Sequence, residues 1–181
     1  MTITLILMRI FTFAILFCIA TPLLARDTNE STVKAAFVYN FARFTEWPEE
    51  SFNQSSNKFI LCLVGNEPNQ QFSSSLIGKK IHDHSIVIEV RSRLIDLDLC
   101  QIIFISGTDY SLIPRVLAAI EFKPVLTIGD MTGFAEMGGI FNIIKIKGKM
   151  RFQANIEAIK RSRLRISSRL LKLAQIVGTD K

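Results

Sequence analysis

Apolar residues in this chain fall into two alternating kinds of run. FILCLV at 59–64, SIVIEV at 85–90, QIIFIS at 101–106 and PVLTI at 124–128 have the length and β-branched content of strands, mostly covered on both faces. Between them the apolar spacing turns helical. One helix opens at Asn66-Glu67-Pro68 and ends at Gly78, and a short turn falls at Ile95-Asp96-Leu97. A longer helix follows Thr108 or Asp109, with Leu112, Ile113, Val116, Leu117 and Ile120 on one side and Pro114 in its first turn, where proline is tolerated. This alternation predicts an α/β fold with a mostly parallel sheet flanked by helices. After Gly138-Gly139 two strand-like runs, Ile140 to Ile146 and Met150 to Ala154, meet at Lys147-Gly148-Lys149, which predicts a C-terminal β-hairpin. Asn155 can cap terminal helices that pause near Arg165-Ile166, restart at Ser167-Ser168 and run through Leu170, Leu171 and Ala174.

One stretch carries more aromatic surface than a core stripe needs. TVKAAFVYNFARFTEWP, Thr32 to Pro48, predicts an amphipathic helix capped by Ser31 or Thr32 and stopped by Pro48. Val33, Phe37, Asn40/Phe41, Phe44 and Trp47 recur three or four apart and make its core stripe, with Phe37 and Phe44 as the packing pair. Either the whole set packs on a sheet, or Tyr39 and Phe41, pointing partly away from the Phe37/Phe44 side, make with Trp47 a second aromatic edge open to a ligand or a partner.

The N-terminus changes the compartment. Arg9, the apolar run Ile10 to Ala20, and Leu23-Leu24-Ala25 before the polar RDTNEST have the layout of a secretory signal peptide, residues 1–25. An uncleaved anchor is the alternative; Arg9 and Thr21-Pro22 interrupt the apolar stretch and favour cleavage. The remainder, residues 26–181, is enough for one sizeable domain in the periplasm. Cys18 leaves with the leader. Cys62 and Cys100 remain, and an oxidising compartment allows them one pairing; two buried thiols are the alternative. Charge is lopsided: residues 145–172 hold ten Lys/Arg and one acid, Glu157, whereas residues 26–144 hold ten Lys/Arg against fourteen Asp/Glu. Such a basic third fits an acidic partner, an anionic ligand or an anionic membrane surface, with a merely solvated face on a helix and a hairpin as the alternative, and export argues against nucleic acid.

Catalytic patterns are missing. The chain has no G-x-G-x-x-G, P-loop or G-x-S-x-G. Its two histidines, His82 and His84 in IHDHS, lack a third ligand at a recognisable metal spacing. Open parallel sheets place ligands at the C-terminal ends of their strands, here Gly65-Asn66, Ser106-Gly107-Thr108 and Gly129-Asp130. Asp130 reads as a brace for the loop to Phe134. That loop, DMTGFAEMGG at 130–139, combines methionines, glycines and Phe134 in a way that suits an adaptable contact; a covered connection between sheet and hairpin is the alternative. The sequence therefore points to binding without catalysis, cofactor or metal.

Six segments together carry a resemblance: VKAAFVYNFARFTEWP at 33–48, ILCLVG at 60–65, CQIIFIS at 100–106, PVLTIGDMTGFAEMGGIFNI at 124–143, MRFQANIEA at 150–158 and RISSRLLKLAQIV at 165–177. The chain resembles the YfiR family of periplasmic regulators. The resemblance implies a secreted, dimeric α/β domain without enzymatic activity. It further implies repression of an inner-membrane diguanylate cyclase, or another sensor protein, through that partner's periplasmic domain, with lowered cyclic di-GMP. It brings in an outer-membrane lipoprotein that sequesters the repressor and, in some members, a small aromatic or nucleotide-like ligand. It pairs Cys62 with Cys100. The second bridge of the best-known member would fall in the hairpin, but FNIIKIKGKMRF holds no cysteine. The residues expected to meet a partner or ligand are Tyr39, Phe41, Trp47, Asp130, Phe134, Asn155, Ser167 and Ser168. The alternative from another class is a periplasmic small-ligand carrier or sensor.

Overall fold

The computed structural model describes residues 24–52, 57–65 and 70–178. The expected leader, except Leu24 and Ala25, and the expected helix start at Asn66 to Pro68 lie outside them. Helix α1, Leu24–Arg43, begins earlier than Thr32 and stops before Pro48. Strands β2 (Lys58–Gly65), β4 (His84–Val90), β5 (Ile102–Ser106) and β6 (Leu126–Gly129) match the apolar runs. They alternate with a short helix α2 (Gln70–Ser74), a helical turn Leu97–Leu99 and helix α3 (Leu112–Ala119). The hairpin is β7 (Phe141–Ile146) and β8 (Lys149–Asn155). Helix α4 (Ile156–Arg161) follows, then α5 (Ser168–Leu171).

Four short strands had no readable pattern. β3 (Lys80–Ile81) pairs antiparallel with β4. β1 (Thr45–Glu46) pairs antiparallel with β9 (Arg165–Ile166) in a separate two-stranded ladder. β10 (Gln175–Val177) runs parallel to β8. The expected last helix therefore ends early, and its tail becomes a sheet edge. The main sheet has eight strands in the order β10-β8-β7-β6-β5-β2-β4-β3, parallel except at β3/β4 and β7/β8.

Strand pleat divides the core in two. Leu61, Leu63, Ile102, Phe104, Leu126, Ile128, Phe141, Ile143 and Phe152 face α1 and bury one cluster. Cys62, Val64, Ile103 and Ile105 face the other way, against Ile113 and Val116 of α3 and Phe134 of the 130–139 loop. Cys62 and Cys100 form a disulfide on that second face, across 38 residues.

The buried arc of α1 is Ala35, Val38, Phe41 and Ala42. It differs from the expected stripe for a plain reason. Phe44 and Trp47 lie beyond the end of the helix at Arg43, so helical spacing does not apply to them. Small Ala35 and Ala42 let the helix approach the sheet closely, and Phe41 fills the space between. Its ring stacks on Phe141 at 4.4 Å and lies tilted on Phe152 at 4.8 Å. Phe44, expected as core, is 41% exposed.

Two measurements check this packing. Phe41→Ala should lower stability by about 3–5 kcal/mol, the range for deleting a buried aromatic, read as a shift in urea midpoint. Reducing the Cys62–Cys100 bridge should lower it by roughly 3–4 kcal/mol from loop entropy over its 38-residue span. A midpoint unmoved by reductant, with free thiols titrated, would remove that role.

Candidate functional site

The β1–β9 ladder brings two distant parts of the chain together. Thr45 pairs with Ile166 and Glu46 with Arg165, and the Ser167 amide donates to the Phe44 carbonyl at 2.9 Å. Glu46, Trp47, Pro48 and Glu49 form one wall of a groove of about 320 Å³; Arg163 and Arg165 form the other. Arg163, held at a positive φ of 60°, pairs with Glu50.

Trp47 is set from behind. Its indole Nε1 donates to the Gln101 carbonyl at 3.2 Å, and its ring meets Phe59 edge-on at 5.0 Å. Gln101 is itself buried and bonded on every side. Its Oε1 accepts from the Ile60 amide at 2.7 Å, and its Nε2 donates to the Ser51 carbonyl at 2.6 Å. The indole thus keeps a half-buried, fixed edge beside two guanidinium groups. With two guanidinium groups facing Glu46 and Glu49 beside an indole edge, the groove suits a flat aromatic group that carries charge, through stacking, cation–π attraction and hydrogen bonds.

The other expected residues are spread over the molecule. Tyr39 does not line this groove and lies against the start of β3. Its hydroxyl donates to the Lys80 carbonyl at 3.3 Å, and the Lys79 ammonium sits 4.7 Å from its ring centre. Asp130, at the C-terminal end of β6, accepts from Lys34 Nζ at 3.0 Å and ties α1 to the sheet. Phe41 and Phe134 are fully buried. A Cβ at Gly129 would sit 2.4 Å from the Phe134 ring and one at Gly139 2.1 Å from it, so both glycines are needed for the ring to fit. Asn155 is buried. It caps α4 by accepting from the Ala158 amide at 2.9 Å, and it donates to the Ala135 carbonyl at 2.7 Å. Ser167 caps α5, accepting from the Arg169 amide, and Ser168 is exposed.

Of the expected set, the groove thus assembles Trp47 with the chain entering Ser167. Phe41, Phe134 and Asn155 shape the scaffold behind the surface. Sequence reasoning missed Arg163, Arg165 and Gln101 individually, although the first two sit in the basic run it noted. The Asp130 partner, Lys34, is 96 residues away and left no sequence signal. A second groove, of about 290 Å³, lies between the end of α3 (Leu117 to Lys123), Met137-Gly138 and Arg161-Ser162. Both grooves lie near the N-terminal ends of the central strands, opposite the strand ends where open parallel sheets place ligands. At those C-terminal ends the backbones come close: a Cβ on Gly65 would lie 2.3 Å from the Ser106 carbonyl oxygen.

The histidines are apart from this surface. His82 sits in the exposed β3–β4 turn at φ 50°, and His84 stacks on Phe52 with ring centres 4.2 Å apart. The described residues hold no group of three His, Cys, Asp or Glu placed to bind a metal ion. No helix among them is long and apolar enough to cross a membrane.

At the groove's rim the carboxyl of Glu50 is held below the usual range, first by a hydrogen bond from its own backbone amide and then by Arg163. Its folded pKa lies below its unfolded one, so its contribution is complete above the unfolded value and is lost as pH falls through the folded one. Arg163→Ala should therefore raise the Glu50 pKa only part of the way to normal, because the backbone bond remains. A carbon-detected NMR titration of Glu50 in both proteins measures this; no change on substitution would remove Arg163 from the rim's electrostatics.

A family model described as YfiR/HmsC-like matches residues 31–175. Among solved structures, the crystal structure of a conserved domain protein from Vibrio cholerae O1 biovar El Tor str. N16961 aligns with a TM-score of 0.46 and 15% identity. That alignment covers 65% of this chain and 54% of the other, so the chain spans about half the length of that protein. The family is one of periplasmic regulators of diguanylate cyclases, and its members act as regulators rather than enzymes. With the match running from the first turns of the sheet-packed part of α1 to the start of β10, this chain belongs to the YfiR/HmsC-like family.

Proposed function

We propose that the protein is a periplasmic repressor that docks on the periplasmic domain of an inner-membrane signalling protein, a diguanylate cyclase first among them, and so lowers cyclic di-GMP. The observation that carries this reading is the family match across residues 31–175. The signal-peptide layout of residues 1–25 supports it. The protein works by stoichiometric binding. It must bind the partner's inactive state more tightly than the active one, and that difference sets how far the partner's equilibrium moves.

The groove between Trp47 and Arg163/Arg165 is the first choice for the contact surface. It offers a fixed aromatic edge and exposed cations, the residue types that dominate binding energy at interfaces. Ser167 and Ser168 are proposed as flanking contacts and Tyr39 and Asp130 as contacts outside the groove, whereas Phe41, Phe134 and Asn155 act by holding the surface in shape. The working form is a homodimer, and an outer-membrane lipoprotein that captures the repressor releases the brake by competing for it. A second reading, a carrier or sensor of a small aromatic or nucleotide-like ligand, is favoured by the same groove's volume of about 320 Å³ and its paired guanidinium groups.

Deleting the protein should raise cyclic di-GMP, and the protein lacking its leader should retain a periplasmic sensor domain in pull-down. Arg163→Glu with Arg165→Glu should weaken that retention at least tenfold with the melting temperature nearly unchanged, because rim charges carry little fold stability. Unchanged cyclic di-GMP together with no retained sensor domain would end the repressor reading. A thermal shift with small aromatic anions, lost in Trp47→Ala, would then move the assignment to the carrier.

A further inference from the structure

The β7–β8 hairpin carries Lys145, Lys147, Lys149 and Arg151 within seven residues, and no acid occurs between Phe141 and Asn155. The hairpin also outruns its neighbours. β6 pairs with β7 only at Phe141 and Asn142, and β10 pairs with β8 only from Gln153 to Asn155. Residues 143–152 thus extend past the sheet as a two-stranded ribbon.

Register sorts the ribbon's faces. Ile143 and Phe152 are partners and lie under α1, where Phe152 meets the Phe37 ring at 5.9 Å. The opposite face carries Ile144 beside Arg151 and Ile146 beside Lys149. Ile146 is 44% exposed. Lys147, Lys149 and Arg151 are exposed and form no ion pair with the described residues. At the tip Lys147 (φ 49°) and Gly148 (φ 77°) both adopt positive φ, as a two-residue type I′ turn requires, so the tip is a defined turn and not a loose loop.

We propose that this uncovered face and its tip form a docking surface for an anionic phospholipid bilayer. Cations alone would suit any acidic partner. Here they are interleaved with Ile144 and Ile146 on one side of a projecting ribbon. A purely acidic segment would neutralise the charges and leave the exposed Ile146 in water. A bilayer interface takes both: lipid phosphates meet the ammonium and guanidinium groups, and the isoleucines and lysine stems enter the headgroup–acyl boundary. The proposal does not depend on which sensor domain the protein binds, and vesicles test it without one.

The test is flotation of the purified protein with vesicles of equal phosphatidylglycerol and phosphatidylcholine, and with phosphatidylcholine alone, at low and at raised salt. Binding should be confined to the anionic vesicles and should weaken with salt. Lys147→Glu with Lys149→Glu should lower partitioning more than tenfold, since each cation near an anionic surface contributes roughly fivefold. Ile146→Ser should lower it severalfold, and both variants should keep the parent melting temperature. Equal binding to neutral vesicles, no binding to anionic ones, or full binding by the double charge variant would overturn the proposal. So would an unaffected Ile146→Ser variant, particularly with equal retention by polyglutamate, which would assign the ribbon to an acidic protein segment.

Discussion

The structure depends on one aromatic contact between a helix and a sheet. A parallel sheet has two apolar faces, and neither can be left in water. On one face that duty falls first to helix α1, joined by Phe72 of α2, Ala158 of α4 and Leu170 of α5; the buried arc of α1 is short, and half of it is alanine. Phe41 supplies the bulk that the alanines lack, and its ring closes against Phe141 and Phe152 of the hairpin. Helix and hairpin are thereby fixed to one another, with Phe37 adding a second contact to Phe152. The exposed features follow from that anchoring. Tyr39 is turned toward β3, Lys34 reaches Asp130, and the chain leaves the helix at Arg43 in position to form the β1–β9 ladder.

The other face is held by different means. A disulfide joins the first central strand to the entry of β5, α3 covers the strands beside it, and Phe134 is clamped between two glycine backbones. The loop around Phe134 also satisfies buried polar groups of the hairpin. Gln153 donates to Glu136 at 2.7 Å and accepts from Asn142 at 3.0 Å. A segment that composition marks as an adaptable contact is therefore largely interior architecture. What it leaves exposed is Thr132, Glu136 and Met137, the last of which borders a groove.

Most of the fold could be read from residue patterns because continuous apolar runs of five or six residues announce covered strands. The Asn155 cap and the hairpin turn at Lys147-Gly148 were also legible, since both depend on local chemistry. The rest depends on distance. Two- and three-residue strands such as β1, β9 and β10 have no period to detect, and their pairing is set by where the larger elements deliver the chain. The aromatic helix was misread in register because its last two aromatics lie past its end. Phe41 therefore changed places with Phe44, the one inward and the other outward. The groove was visible only as its parts, a tryptophan before a proline and a basic run more than a hundred residues later.

The ladder that joins those parts has a consequence of its own. β1 and β9 contribute two residues each, and they stand apart from the eight-stranded sheet. Opening so short a ladder breaks few hydrogen bonds and need not expose the aromatic cluster under α1, so it belongs to the low-energy end of the protein's local unfolding spectrum. Fraying of this ladder can therefore precede opening of the main sheet, with buried Thr45 and Leu164 limiting how far its strands part. Amide exchange at Thr45, Glu46 and Ile166 would run ahead of exchange in β2 and β5. A molecule seated across the groove would slow that breathing and add order to this corner of the fold, so that occupancy is written into local dynamics as well as into contact.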